Sequence, residues 1–221
     1  MRRSVGRLST SLGSLLHEQR VDRLSLMLHL AQDDAADQLL SENPLALLIG
    51  LVLDQQIPLE RAFSAPLELQ RRLGLQLDAG YIAGMDPERL AEVFTARPAL
   101  HRFPAANARR VQELCRIVVE DYHANPAAIW EEAADGADLY RRVVALPGFG
   151  AQKARIFVGL LGKQLGVEPP GWREASEPFG RAGSYMSVAD IVDEASLARV
   201  RAYKQTLKTS REQPSSSPSR V

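Results

Sequence analysis

The stretch Leu146-Pro-Gly-Phe-Gly150 places a proline and two glycines at the mouth of an apolar, helix-periodic segment. Gly148 and Gly150 lack a Cβ and can take positive φ, so the chain can turn tightly there and leave backbone N–H groups bare at the start of the next helix. Unpaired donors and the positive end of the helix dipole together favour an anion. Charge placement points to phosphate. From Leu139 to Val167 there is no Asp or Glu, yet Arg141, Arg142, Lys153, Arg155 and Lys163 all fall there. A second acid-free window, Val93 to Gln112, holds Arg97, His101, Arg102, Arg109 and Arg110. Folded onto one face, these cations would form a stripe suited to a nucleic-acid backbone. The alternative is a Pro-Gly turn between two packed helices whose arginines solvate the surface.

The elements that must position these groups are helices. Asn43–Pro44 is a cap and first-turn pair, followed by Leu45, Leu48, Ile49 and Val52 on one face. Pro58 ends that helix near Asp54–Gln56 and starts another. Asp86–Pro87 and Asn125–Pro126 repeat the cap signal, and Val111, Leu114, Cys115, Val118 and Tyr122 form a stripe between them. Leu139, Val143 and Leu146 lead into the glycine turn, and Ala154, Phe157, Val158, Leu161 and Leu165 lead out of it. Residues 167–186 read as a long loop, and Asp193 caps a last helix carrying Leu197, Val200 and Tyr203. No alternating strand pattern appears, so the fold class is all-α.

Lys plus Arg and Asp plus Glu number 27 each, so only the location of charge, not its sum, argues for a nucleic-acid partner. Cys115 is the one cysteine, which excludes an intrachain disulfide, a thiolate-held Fe–S cluster and a Cys-rich zinc site. No apolar run reaches the ~18 residues of a membrane span. Residues 1–26 are basic and Ser/Thr-containing but lack the apolar stretch of a secretion signal. They are expected to be an N-terminal extension, disordered or a start-site artefact, on a cytoplasmic protein. Residues 209–221 are expected to be a disordered tail, which leaves 27–208 as the helical domain, with the hairpin at about 139–165.

"LPGFGAQKARIF" resembles the helix-hairpin-helix motif of the HhH-GPD superfamily of base-excision DNA glycosylases. "LALLIGLVLDQQIPLERAF" is similar to the family segment in which a helix ends at a Gln-containing turn, and "LHRFPAANARRVQELCRIVVE" to the segment that leads into a further helix. The three occur in family order from Pro44 to Gly166, in the pattern of a bacterial-type branch without the Fe–S cysteines.

The resemblance implies a two-lobed helical fold that binds double-stranded DNA as a monomer, associated with the nucleoid. It implies that the turn Leu146–Gly150, chiefly Gly148 and Gly150, holds a DNA phosphate with Lys153; the acid-free window adds Arg102 and Arg109 as expected DNA contacts. A structural K+ or Na+ on the Leu146 and Gly148 backbone is the one cofactor implied. Either Gln55 or Gln56 would enter the gap left by a flipped base. Gln152 stands where strand-cleaving members carry lysine, which implies a monofunctional glycosylase without strong lyase activity. The family aspartate has no counterpart in "GVEPPGWREASEPFG", where Glu168, Glu174 and Glu177 are the available carboxylates. Trp172 and Tyr185 are candidates to stack on the extruded base, an electron-poor alkylated one above all. The resemblance also leaves room for a non-catalytic DNA-binding or lesion-sensing protein that has lost the acid.

Overall fold

The computed structural model describes residues 27–212; the extension 1–26 and residues 213–221 lie outside it. Eleven α-helices and one 3₁₀ turn make up the described residues, with no strand among them. In chain order they are α1 (Asp34–Glu42), α2 (Pro44–Leu53), α3 (Leu59–Leu73), α4 (Ala79–Gly84), α5 (Pro87–Thr95), α6 (Pro104–Asp121), α7 (Ala128–Glu131), α8 (Gly136–Val144), α9 (Ala151–Gln164), α10 (Trp172–Ala175) and α11 (Glu194–Glu212). The 3₁₀ turn is Val188–Asp190, between α10 and α11.

The caps form where the sequence places them. The Asn43 side chain accepts from Leu45 N at 2.9 Å and Ala46 N at 3.1 Å, so α2 begins at Pro44 with its first donors satisfied. Asp86 does the same for α5 at 2.9 and 3.0 Å, and Asp193 accepts from Ser196 N at 2.7 Å to start α11. Asn125–Pro126 opens only the single turn of α7. Of the tail expected from residue 209, residues 209–212 belong to the end of α11, and 213–221 lie outside the described residues.

Helix α2 is buried on nearly every side, since Leu45 to Leu53 are all inside. Its Gly50 lets α3 approach closely: a Cβ there would lie 2.9 Å from the Phe63 ring. Helices α4 and α5 pack on α6, and α6 also touches α2, completing one group. Helices α8, α9, α10 and the 3₁₀ turn form a second group. Helix α11 returns from the second group to the first, where Arg201 pairs with Glu60 at the start of α3. The C-terminal end of α2 and the turn between α8 and α9 therefore face one another where the two groups meet. No described helix is long and apolar enough to cross a membrane.

Residues 167–186 form the expected irregular segment, with only α10 inside it. Its aromatics are its anchors. Trp172 is 4% exposed and lies on α9 where Gly162 has no side chain; a Cβ there would overlap the indole. Phe179 is buried, and its carbonyl sits 3.1 Å from where a Gly159 Cβ would be.

Candidate nucleic-acid interface

The glycine turn joins α8 to α9. Gly148 takes φ +85, the left-handed region that a side chain would disfavour, and a Cβ there would also meet Arg110 Cδ at 2.8 Å. Gly150 does not share this need. Its φ of −81 and ψ of 172 are extended backbone, and the space beside its Cα is open. Gly150 caps α9 without a side-chain hydrogen bond, and the first turn of α9 carries no acid. The bare donors and positive dipole end expected at this turn are therefore present and exposed. Phe149 is tucked inside, 5.8 Å from the Phe157 ring. The Leu146 carbonyl accepts from Phe149 N at 3.1 Å and the Gly148 carbonyl from Gln55 Nε2 at 3.3 Å. Each carbonyl thus retains one lone pair.

Opposite the turn, α2 ends in Asp54-Gln55-Gln56. Gln55 is half-buried and committed to Gly148, whereas Gln56 is exposed in left-handed backbone, φ 57. A buried histidine fixes this segment. His101 Nδ1 faces two donors, Phe103 N at 3.0 Å and Asn107 Nδ2 at 2.7 Å, so it must be the unprotonated nitrogen. Nε2 then carries the proton and donates to the Gln55 carbonyl at 2.8 Å. Burial lowers the His101 pKa below its ordinary value, which keeps the ring neutral.

Lys153 does not project toward solvent as a free phosphate contact. Its Nζ donates to the Leu51 carbonyl at 2.5 Å, pinning α9 to the last turn of α2. Burial brings its pKa down to about 8, with the nearby Arg110 charge acting in the same direction and Asp54 opposing.

Between these elements opens a cleft of about 460 Å³, within the range of small-ligand pockets. Asp54 and Gln55 form one wall and Gly148, Gly150, Gln152 and Lys153 another; Ser187, the cap of the 3₁₀ turn, and Val188, its first residue, line it as well, with Lys204 from α11. Its carboxylate is Asp54, which the sequence marks only as a helix end. One signal does point to it: a carboxylate at the negative end of an otherwise apolar helix opposes the dipole. Lys204 and Ser187 carry no comparable signal.

The loop glutamates are elsewhere. Glu168 is exposed and 3.8 Å from Arg173, Glu177 is exposed and 3.4 Å from Arg181, and Glu174 is exposed. None of the three lines the cleft. Trp172 and Tyr185 do not line it either: Trp172 is core, and the Tyr185 hydroxyl accepts from Arg199 at 2.7 Å while Arg199 covers its ring. Asp190 is engaged by Lys163 Nζ at 2.5 Å, Met186 N at 2.7 Å and Ser187 N at 3.1 Å.

The two acid-free windows meet at the glycine turn but differ in how their charges are answered. Within Leu139–Val167, Arg141 and Arg142 pair with Asp138 and Lys163 with Asp190, so acids from outside the window neutralise them. Within Val93–Gln112, Arg102, Arg109 and Arg110 form no salt bridge among the described residues. Arg109 and Arg110 line a groove of about 450 Å³ that reaches Pro147 of the glycine turn, with Arg116 in its wall paired to Glu113 at 3.3 Å. Arg102 stands 5.4 Å over the ring of Phe103, an exposed aromatic at the uncapped start of α6. A positive strip thus runs from the start of α6 to the turn, beside the cleft.

A search among curated proteins gives no match, and neither does one among solved structures. A family model described as HhH-GPD superfamily base excision DNA repair protein matches residues 49–217, more than half of the chain. The match contains the glutamine turn, the arginine strip, the glycine hairpin and every cleft-lining residue. The chain belongs to the HhH-GPD superfamily of base excision DNA repair proteins.

Proposed function

We propose that this protein is a monofunctional DNA N-glycosylase that extrudes a damaged base from the duplex and hydrolyses its glycosidic bond. The observation that carries the reading is the position of the cleft, between the glutamine turn, which lines it through Asp54 and Gln55, and a bare helix N-terminus. The amides at the start of α9 would hold a DNA phosphate, and Arg102, Arg109 and Arg110 would hold its neighbours. Gln56, held outward by the His101 clamp on Gln55, would fill the gap and offer its amide to the orphaned partner base. The remaining lone pairs of Leu146 and Gly148 suit a monovalent cation, K+ or Na+, which would reinforce the phosphate site. The protein would act as a monomer on the bacterial nucleoid.

The large apolar side chains of the cleft lining are aliphatic, Leu51, Ile156 and Val188, with no aromatic ring among them. With Trp172 and Tyr185 outside the lining, aromatic stacking does not favour alkylated over other damaged bases. A binding-only lesion sensor is favoured by one feature: the loop after α9 offers Ser187 and Val188 to the cleft in place of a carboxylate. Duplexes carrying single alkylated, deaminated or oxidised bases, incubated with the protein and then treated with hot alkali, decide between the two. Alkali-dependent strand breaks at a lesion support the glycosylase; tight lesion binding without breaks supports the sensor.

A further inference from the structure

We propose that Asp54 is the catalytic carboxylate of base release, acting from the glutamine turn and not from the loop after the hairpin. The assignment rests on the glycosylase reading of the cleft.

Three observations carry it. Asp54 is the carboxylate among the cleft-lining residues, between Gln55 on its own turn and Gly148, Gly150 and Lys153 across from it. The three glutamates expected to serve are remote from the cleft, Glu168 and Glu177 in exposed ion pairs and Glu174 in solvent, while Asp190 beside the 3₁₀ turn is consumed by Lys163 and the 3₁₀ cap. Finally, Asp54 sits where folding alone would disfavour it. It is half-buried at the C-terminal end of α2, where the dipole is negative, and it takes part in no salt bridge among the described residues. A local rule broken without a structural gain marks a functional position. Burial accordingly raises the Asp54 pKa, while Lys204 and Lys153 act to keep the group charged.

The chemistry asks for such a group. As the bond from C1′ to the base nitrogen breaks, its electron pair leaves with the base and positive charge grows on the sugar. A carboxylate beside C1′ stabilises that charge and accepts a proton from the attacking water. Water oxygen bonds to C1′, the proton passes through Asp54 to the departing base nitrogen, and Asp54 ends ionised. One water is consumed, and one base and one abasic sugar are formed. Lys204, reaching the cleft from α11, is a positioning residue in this scheme, holding Asp54 ionised without touching the reacting atoms.

The experiment measures single-turnover base release across the lesion panel by the full chain, by Asp54→Asn, and by the combined Glu168→Gln, Glu174→Gln and Glu177→Gln variant. Duplex affinity and melting temperature are measured alongside. The expected result is release by the parent chain, a loss of about 10²-fold or more in Asp54→Asn with affinity changed less than about threefold, and near-parental release by the triple variant. Lys204→Met should move the acid limb of the pH–rate profile to higher pH, a shift that a merely structural lysine would not produce. Parental rates in Asp54→Asn would overturn the assignment while leaving the glycosylase reading intact. A parallel loss of affinity in Asp54→Asn would make it a binding residue and also overturn the assignment. No release from any lesion by the parent chain would remove both.

Discussion

The Gln55 side chain donates to the Gly148 carbonyl across 3.3 Å, joining the end of α2 to the glycine hairpin 93 residues later. With His101 holding the Gln55 backbone, this hydrogen bond ties the glutamine turn and the glycine turn together. It also divides the labour between the two glutamines, because Gln55 is spent on the scaffold and Gln56 is left exposed.

Gln56→Ala should therefore impair base extrusion with the fold intact. With 2-aminopurine beside a lesion, the fluorescence rise on binding should fall several-fold while the melting temperature is unchanged. Gln55→Ala should lower the melting temperature, as loss of one partly buried hydrogen bond costs about 0.5–1.5 kcal/mol. Equal effects of the two substitutions on fluorescence would contradict this division.

The arginine strip predicts a salt signature. Arg102→Ala and Arg109→Ala should each weaken binding to any duplex, lesion or not, and reduce the slope of log affinity against log salt by about 0.9 for each phosphate no longer neutralised. Arg141→Ala, whose charge is already answered by Asp138, should change the slope little.

His101 predicts an acid-side loss of stability. Its folded pKa lies below the ordinary 6.5, so the unfolded chain binds the proton more tightly, and stability should decline as pH falls through about 6.5. The groups facing the ring are the Gln55 carbonyl, Phe103 N and the Asn107 amide, with Arg110 and Arg61 adding like charge. His101→Ala should cost about 1–3 kcal/mol at neutral pH by leaving buried partners unpaired. Its urea midpoint should also vary less than the parent's between pH 5 and pH 7; an unaltered pH dependence would count against the clamp.

Strand cleavage should be absent. Gln152 at the cleft has no amine, and the Lys153 amine is directed at the Leu51 carbonyl. The abasic product should stay unbroken until alkali is added, and borohydride should trap no covalent protein–DNA species. A trapped adduct that disappears in Lys153→Met would show instead that the depressed pKa of this lysine is put to use as a nucleophile.

Much of this arrangement is legible in the sequence because it is local. Asn43, Asp86 and Asp193 cap the helices that follow them, and the glycine turn stands between the two stripes that predict it. What cannot be read there depends on partners distant in sequence. Lys153 finds a carbonyl 102 residues away, and Lys163 finds Asp190 27 residues away, so an acid-free window overstates the free charge. Trp172 suggests a stacking surface by its type, but Gly162 makes a slot for it on α9 and draws it into the core. Asp54 is in plain view beside the glutamines. Its meaning appears only when the second group of helices closes the cleft around it.

A crystal structure with a duplex containing a tetrahydrofuran abasic analogue is the most direct test, because the natural lesion need not be identified first. The expected complex has the analogue's sugar rotated into the cleft with its C1′ toward Asp54, Gln56 in the vacated gap, and a phosphate on the amides of Gly150 and Ala151. A duplex bound on another face, or a sugar left in the helix with the cleft unentered, would contradict the assignment of this cleft to base release.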